Sequence, residues 1–412
     1  MRILMVNLTD WSAMSGGAQH QLGLFEAFRA AGNQVRVLTV GSGDSPAMPF
    51  GMREVATLVS GPKRFGFPAN LDTLAQLPAL VREIMTFRPD VVYSRANALS
   101  IAVVAVAKLF GTRVVLEHNS WLESQRRVGG GSAWLARLER LMQIGAARMA
   151  DASRCVTQGL ANRLAQSGVA ANRLHAIGNG TDCEQFFPVD RKTALRQFGL
   201  PEDRTYVGFI GNIMPWHGLT TALEGFAELA GSHPATDLLV FGDGLGLAPL
   251  AEMARRLGLA DRVRLMGKVP FASANMAINC FDLAILPLSL RHDIGFGFSA
   301  IKLRDYAAAG RIVLTGLVPG NIELCAEPWL LTHAPDDAGD FASALGVWLE
   351  SQAGDRGHWA GARLRARSYA EQNFAWTRVA ARIAEVFANL EDSLPGRSIA
   401  PAGQHTNTAL QS

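Results

Sequence analysis

Two glycines spaced two apart, Gly295 and Gly297, are followed by Phe298 and Ser299 and then by a helix-period stretch carrying Lys302 and Asp305. Free amides in such a turn, the positive end of the helix behind it and a lysine side chain together attract phosphate. Ser299 is placed to cap that helix and Gly310 to stop it in a left-handed conformation, which predicts a helix over Ala300 to Ala309. A plainer reading stays open: the glycines only let a helix pack closely on a sheet, and Lys302 pairs with Asp305 at the surface. A dinucleotide fingerprint fits poorly, although Gly295-x-Gly297-x-x-Ala300 has its lettering. Polar residues Ser289 to Asp293 separate the glycines from the preceding strand, and no acid for a ribose follows the next one at Thr315-Gly316.

The elements that must position these residues repeat a simple alternation. Arg2 to Asn7 is a short apolar run, followed by the Gly16-Gly17 turn, a helix-period stretch from Gln19 to Ala31 and a second apolar run from Val35 to Val40. Parallel strands need such a crossover helix. Pro89 to Tyr93 and Arg113 to Leu116 continue the strands, with helical Ala98 to Phe110 between them and Leu135 to Ala150 after them. The pattern restarts at Tyr206 to Gly211, with a helix from Leu219 to Ala230 and further strands at Leu238 to Phe241, Arg262 to Leu265, Leu283 to Leu286 and Arg311 to Leu314. The reading is therefore two α/β halves: a first domain over 1–188, a polar connector over 189–204 and a second domain over 205–375. A helix over 376–392 returns to the first domain, and 393–412 is a disordered tail. Ligands of open parallel sheets sit at the carboxyl ends of the strands, so the expected site is the cleft between the two.

Composition narrows the function classes. A chain of 412 residues with 49% hydrophobic content exceeds what one core usually holds, in keeping with two domains. A net charge of +3, without zinc-ligand spacing or a long basic run, argues against nucleic acid as a partner. Cys155, Cys183, Cys280 and Cys325 are far apart and form neither a disulfide framework nor a metal cluster, which points to a reducing compartment. The apolar stretch from Leu99 to Phe110 is too short to span a bilayer, and the N-terminus meets Asn7 and Asp10 too early for a secretory leader. The expectation is a cytoplasmic protein, with a peripheral place at the inner face of the cell membrane left open. Arg126, Arg127, Arg137, Arg140 and Arg148, interleaved with apolar residues, offer two readings. They form a helix face for anionic headgroups, or a solvated face whose apolar stripe is core.

Read in order, the first strand–GG turn–helix, RPDVVYSR at 88–95, NGTDCEQFFP at 179–188, VGFIGNIMPWHGL at 207–219, LLVFGDG at 238–244 and FSAIKLRDYAAAGRIV at 298–313 resemble the landmarks of family 4 retaining glycosyltransferases. The resemblance implies the GT-B fold: two Rossmann-like domains facing each other across a deep cleft. It implies transfer of a sugar from a nucleotide diphosphate sugar, without a bound metal or other cofactor, to a glycan or lipid-linked acceptor in surface polysaccharide or glycoconjugate biosynthesis.

Carried over residue by residue, Gly295, Gly297, Phe298 and Ser299 face the diphosphate or sugar, Lys302 acts beside them, and Asp305 takes the ribose hydroxyls. Gly16 and Gly17 match the glycine loop of the acceptor half. His118 or Asn119, with the register open by one, holds the place of a histidine that contacts the transferred sugar. Asn212 and His217 occupy positions where relatives carry a diphosphate-clamping Arg and Lys, and Gly297 stands where they carry a first Glu. Those departures leave a second reading, a catalytically weak nucleotide-sugar-binding module partnering another transferase, and a third, a nucleotide-sugar epimerase.

Overall fold

The computed structural model describes residues 1–8, 16–41, 52–56, 71–128, 130–290, 301–354 and 356–392. Gly295, Gly297, Phe298, Ser299 and the tail over 393–412 lie outside the described residues.

Seven parallel strands form the first sheet among the described residues: β1 (Arg2–Val6), β2 (Gln34–Gly41), β3 (Met52–Ala56), β4 (Val91–Arg95), β5 (Arg113–His118), β6 (Ala152–Cys155) and β7 (Leu174–Ala176). They lie in the order β3-β2-β1-β4-β5-β6-β7. The short strand β1 shows why the sheet must be covered on both sides. Ile3 and Met5 enter one apolar cluster, with Leu24 and Phe28 of the helix Gly16–Ala30 and with Ile383 and Phe387 of the helix Trp376–Asp392. Leu4 and Val6 enter another, with Leu80, Val104 and Ala146 from helices on the opposite face. Successive side chains of a strand point to opposite faces, so a continuous apolar run serves two layers of helices.

The second sheet holds β8 (Thr205–Ile210), β9 (Thr236–Phe241), β10 (Val263–Gly267), β11 (Leu283–Leu286), β12 (Ile312–Gly316) and β13 (Leu330–His333), in the order β10-β9-β8-β11-β12-β13. All its strand pairs are parallel. Both sheets reverse their winding direction beside their first strand, between β1 and β4 and between β8 and β11, which is where doubly wound sheets open a crevice. This is the GT-B architecture of two facing Rossmann-like domains.

Several expectations change. The stretch 189–204 is not a plain connector: it contains the helix Arg191–Gln197, capped by the Asp190 carboxylate, with Ala194 and Leu195 fully buried in the second core. Gly16 and Gly17 do not form a turn ahead of the first helix; they are its first two residues. Strands β3, β6, β7 and β13 do not stand out as continuous apolar runs, because each is five residues or fewer and includes a charged, hydroxyl or histidine side chain. In the helix Ala133–Met149 the buried face is Ala136, Glu139, Gln143, Ala146 and Ala147, whereas Trp134 and Leu141 are 66% and 60% exposed. Leu135, Leu138, Met142 and Ile144 are half-buried, and Glu139 on the buried face forms a two-pronged ion pair with Arg126 at 2.7 and 2.6 Å. Among the described residues no helix is long and apolar enough to cross a membrane.

Candidate active site

At the end of β8 the chain turns sharply through Gly211, whose φ of +129° suits glycine alone. The turn leads through Asn212 into a short 3₁₀ turn, Pro215–His217, and then the helix Leu219–Leu229. The absence of a side chain at Gly211 has a second use. A Cβ there would lie 2.2 Å from Cε of Lys302, so the lysine stem runs directly across the bare backbone. Lys302 stands in the first turn of the helix Ile301–Ala308, which ends before Gly310 at φ +65° as expected. The buried Tyr306 hydroxyl accepts the Ile210 N–H at 3.1 Å and ties this helix to β8.

The lysine ammonium lies 3.3 Å from His217 Nε2 and 5.6 Å from the centre of the Phe209 ring. Burial lowers its pKa to about 8, against the pull of Asp305. His217 is 3% exposed, and burial together with the Lys302 charge holds its pKa well below the usual imidazole range. The imidazole is therefore neutral and cannot supply a positive charge of its own. Asn212, beside it, is exposed.

Asp305 does not pair with Lys302 at the surface. Its Oδ1 accepts a hydrogen bond of 2.6 Å from the Thr181 hydroxyl, on the segment that joins the two halves. Burial raises the Asp305 pKa to about 7, with the Thr181 bond and Lys302 acting in the opposite direction. The arrangement combines a desolvated amine and a carboxyl poised near neutrality beside the switch point of the second sheet. Such a pair can present a cation to an anionic leaving group and an acceptor to hydroxyls.

In the first half, strand alternation separates the two residues between which the register lay open. His118, the last residue of β5, points into the core: Nδ1 accepts from Gln143 Nε2 at 3.2 Å and Nε2 faces Ser153 Oγ at 3.3 Å. It is fully buried, and burial lowers its pKa to about 4. His118 is thus a neutral core histidine between the sheet and the helix Ala133–Met149, which corrects the expectation that it contacts a sugar. Asn119 is half-buried, and its amide donates to Glu117 Oε1 at 2.5 Å.

Glu117, which the motif resemblance offers as the first residue of an ExN pattern supporting the site, is the centre of a polar hub. Its carboxylate, fully buried, accepts from His20 Nε2 at 2.8 Å, Tyr93 Oη at 2.5 Å and Arg154 Nη1 at 2.8 Å. Burial alone would raise its pKa, but His20 and Arg154 outweigh burial and hold it well below the carboxylate range. Arg154 then reaches the joining segment, donating to the carbonyls of Ile177 at 3.0 Å and Gly178 at 2.7 Å. The His20 ring also meets Trp376 edge-on at 5.0 Å. A chain of polar contacts therefore runs from the end of β5 to the segment whose Thr181 holds Asp305. The signal available in the sequence was a pair of opposite charges, Glu117 and Arg154, inside neighbouring strands.

Comparison with known proteins adds to this geometry. Residues 14–185 match the model described as Glycosyltransferase Family 4, and residues 204–351 match that of Glycosyl transferases group 1. A D-inositol 3-phosphate glycosyltransferase of Catenulispora acidiphila is 30% identical over 55% of this chain; the chain spans 53% of that relative's length. A glycogen synthase of Mycobacterium tuberculosis is 26% identical over 94% of both chains. Among solved structures, the Anabaena protein HepE in complex with UDP aligns with a TM-score of 0.70 at 18% identity, covering 94% of this chain and 100% of that one.

Proposed function

The chain belongs to the family 4 glycosyltransferases of GT-B fold, and from that premise we propose that it moves a sugar, with retained configuration, from a nucleotide diphosphate sugar to a glycan or lipid-linked acceptor. The observation that carries the reading is the Lys302 ammonium, held in a desolvated setting where β8 and β11 diverge. As the sugar–phosphate bond breaks, negative charge grows on the departing diphosphate. A fixed cation in a water-poor cleft stabilises that charge far more than one in bulk water. In this reading the stabilisation comes from protein groups and needs no bound metal. Asp305 accepts the ribose hydroxyls, Asn212 lies beside the donor, and the acceptor approaches from the first half near Asn119, Gly16 and Gly17. UDP is the first nucleotide to try, since the Anabaena relative holds it.

Calorimetry with UDP-, GDP- and ADP-sugars tests the donor half. At least one is expected to bind, with release or transfer of sugar on addition of extract-derived acceptors; binding by none would remove the reading. Asp305→Ala should weaken the bound nucleotide about tenfold or more, by losing acceptors for two hydroxyls. The pH dependence follows from the same two groups. Asp305 is protonated below about 7 and gains its charge above it, whereas Lys302 loses its charge as pH rises through about 8. Donor affinity is therefore expected to fall on the acid side of about 7 and turnover on the basic side of about 8, and Asp305→Asn should flatten the acid limb alone.

A lipid-linked acceptor and a peripheral position at a membrane are supported by the outward Trp134, Arg137 and Leu141, which share one stripe of the helix Ala133–Met149. Aromatic, basic and aliphatic groups in one stripe suit an anionic lipid interface. Sedimentation with phosphatidylglycerol vesicles is expected to carry the protein down, and the double change Trp134→Ala, Leu141→Ala to reduce that several-fold. Equal sedimentation of both proteins would reject the lipid contact.

A further inference from the structure

His217 occupies a position from which the family resemblance expects a contact with the donor, yet its side chain is enclosed. Phe209 lies at 5.4 Å between ring centres and Trp216 at 6.0 Å. The loop after β11 closes the other side: the Leu288 N–H donates to the His217 carbonyl at 3.1 Å and the Ser289 N–H to that of Trp216 at 3.0 Å. What the imidazole does reach is Lys302, and both its ring nitrogens are committed. Nδ1 lies 3.3 Å from the Met214 N–H and Nε2 lies 3.3 Å from Lys302 Nζ. The backbone carbonyl of Asn212 is a further hydrogen-bond acceptor for the ring.

A neutral imidazole has one proton to place, and these neighbours couple its place to the charge on Lys302. An ammonium can only donate. It therefore requires a bare Nε2, and the ring proton then sits on Nδ1, which gives up the bond from the Met214 N–H. A neutral amine has a lone pair, so Nε2–H can donate to it while Nδ1 accepts from Met214. The ring keeps one proton in both arrangements; Lys302 alone gains or loses one, exchanged with solvent. Among the described residues, the titratable groups facing Lys302 are His217 and, on its own helix, Asp305.

We propose that His217 is a positioning residue for Lys302: it leaves the donor untouched and, by changing tautomer, holds the lysine nitrogen over Gly211 and the end of β8 whether or not that nitrogen is charged. The proposal rests on the role given to Lys302 above. It differs from a donor contact at His217 in predicting that losses appear in turnover rather than in donor affinity, because an apolar replacement leaves the donor's own partners in place.

The test compares His217→Leu with His217→Gln, whose amide can accept from a charged Lys302 or donate to a neutral one. His217→Leu is expected to lower kcat about tenfold or more, with donor Kd changed less than about threefold. Its basic limb should move to lower pH, since the ammonium loses an acceptor. His217→Gln should recover most of the rate and restore the limb. Wild-type turnover with an unmoved limb in His217→Leu, or equal losses in both variants, would overturn the proposal. Nitrogen-15 NMR of the full chain provides a readout independent of catalysis and of any unfolding in the variants. The His217 ring nitrogens, identified by their absence from the His217→Gln spectrum, should exchange tautomeric shifts as pH passes through about 8; a fixed tautomer defeats the idea. If Lys302→Met alone leaves turnover intact, the phosphate role of Lys302 fails instead, and the NMR result still stands by itself.

Discussion

Replacing Lys302 with methionine is expected to lower kcat about 10²–10³-fold, some 3–4 kcal/mol, while the protein keeps its thermal midpoint or gains slightly. Methionine retains the unbranched stem that crosses Gly211 and removes only the ammonium. The native state already opposes that charge, since burial brings the lysine pKa down to about 8. Its removal therefore relieves a desolvation cost in the free enzyme and forfeits stabilisation only when the diphosphate carries developing charge. The separation of the two effects distinguishes a functional cation from a structural one. A fall in melting temperature with unchanged kcat would mean that Lys302 serves packing. Arginine is not a conservative replacement here, because a planar fork cannot follow the path between Phe209, Gly211 and His217.

The second large effect is on stability. Arg154→Leu should cost about 3–5 kcal/mol, because it leaves the Glu117 carboxylate buried at 0% exposure without its guanidinium partner. Denaturant titration checks this through a lower midpoint at an unchanged slope. Arg154→Lys should recover only part, since one ammonium cannot serve Glu117 and the carbonyls of Ile177 and Gly178 together. The pH dependence has a definite sign. Glu117 has a depressed folded-state pKa, so its contribution is present above the ordinary carboxylate value and is lost as pH falls through the folded one. In Arg154→Leu that acid-side loss should shrink, because the partner that depresses the pKa has gone. A variant within about 1 kcal/mol of wild type would show that His20 and Tyr93 suffice for the carboxylate.

The two α/β halves were readable because a strand buried on both faces must be apolar throughout, and because crossover helices repeat at a regular interval. Polar strands escaped the same test. β6 reads Ala-Ser-Arg-Cys, yet Ser153 and Arg154 are 0% and 1% exposed, since their polar atoms are satisfied by other segments rather than by water. Lys302 and Asp305 are legible as chemistry-bearing residues at a helix start, and the surface pairing of the plainer reading does not form. Thr181, 124 positions away in the chain, takes the carboxylate, and His217, 85 away, takes the lysine.

By itself, then, the order of apolar runs determined two α/β halves and the neighbourhood in which chemistry is sought, because backbone periodicity and turn chemistry are local properties; the family came from the resemblance of its motifs. Only the tertiary structure decided that His118 faces the core, that His217 is neutral and attached to a lysine, and that Glu117 and Arg154 link the first sheet to the segment holding Asp305. Charge states and side-chain partners depend on desolvation and on contacts between distant segments, and neither exists until the chain has closed on itself.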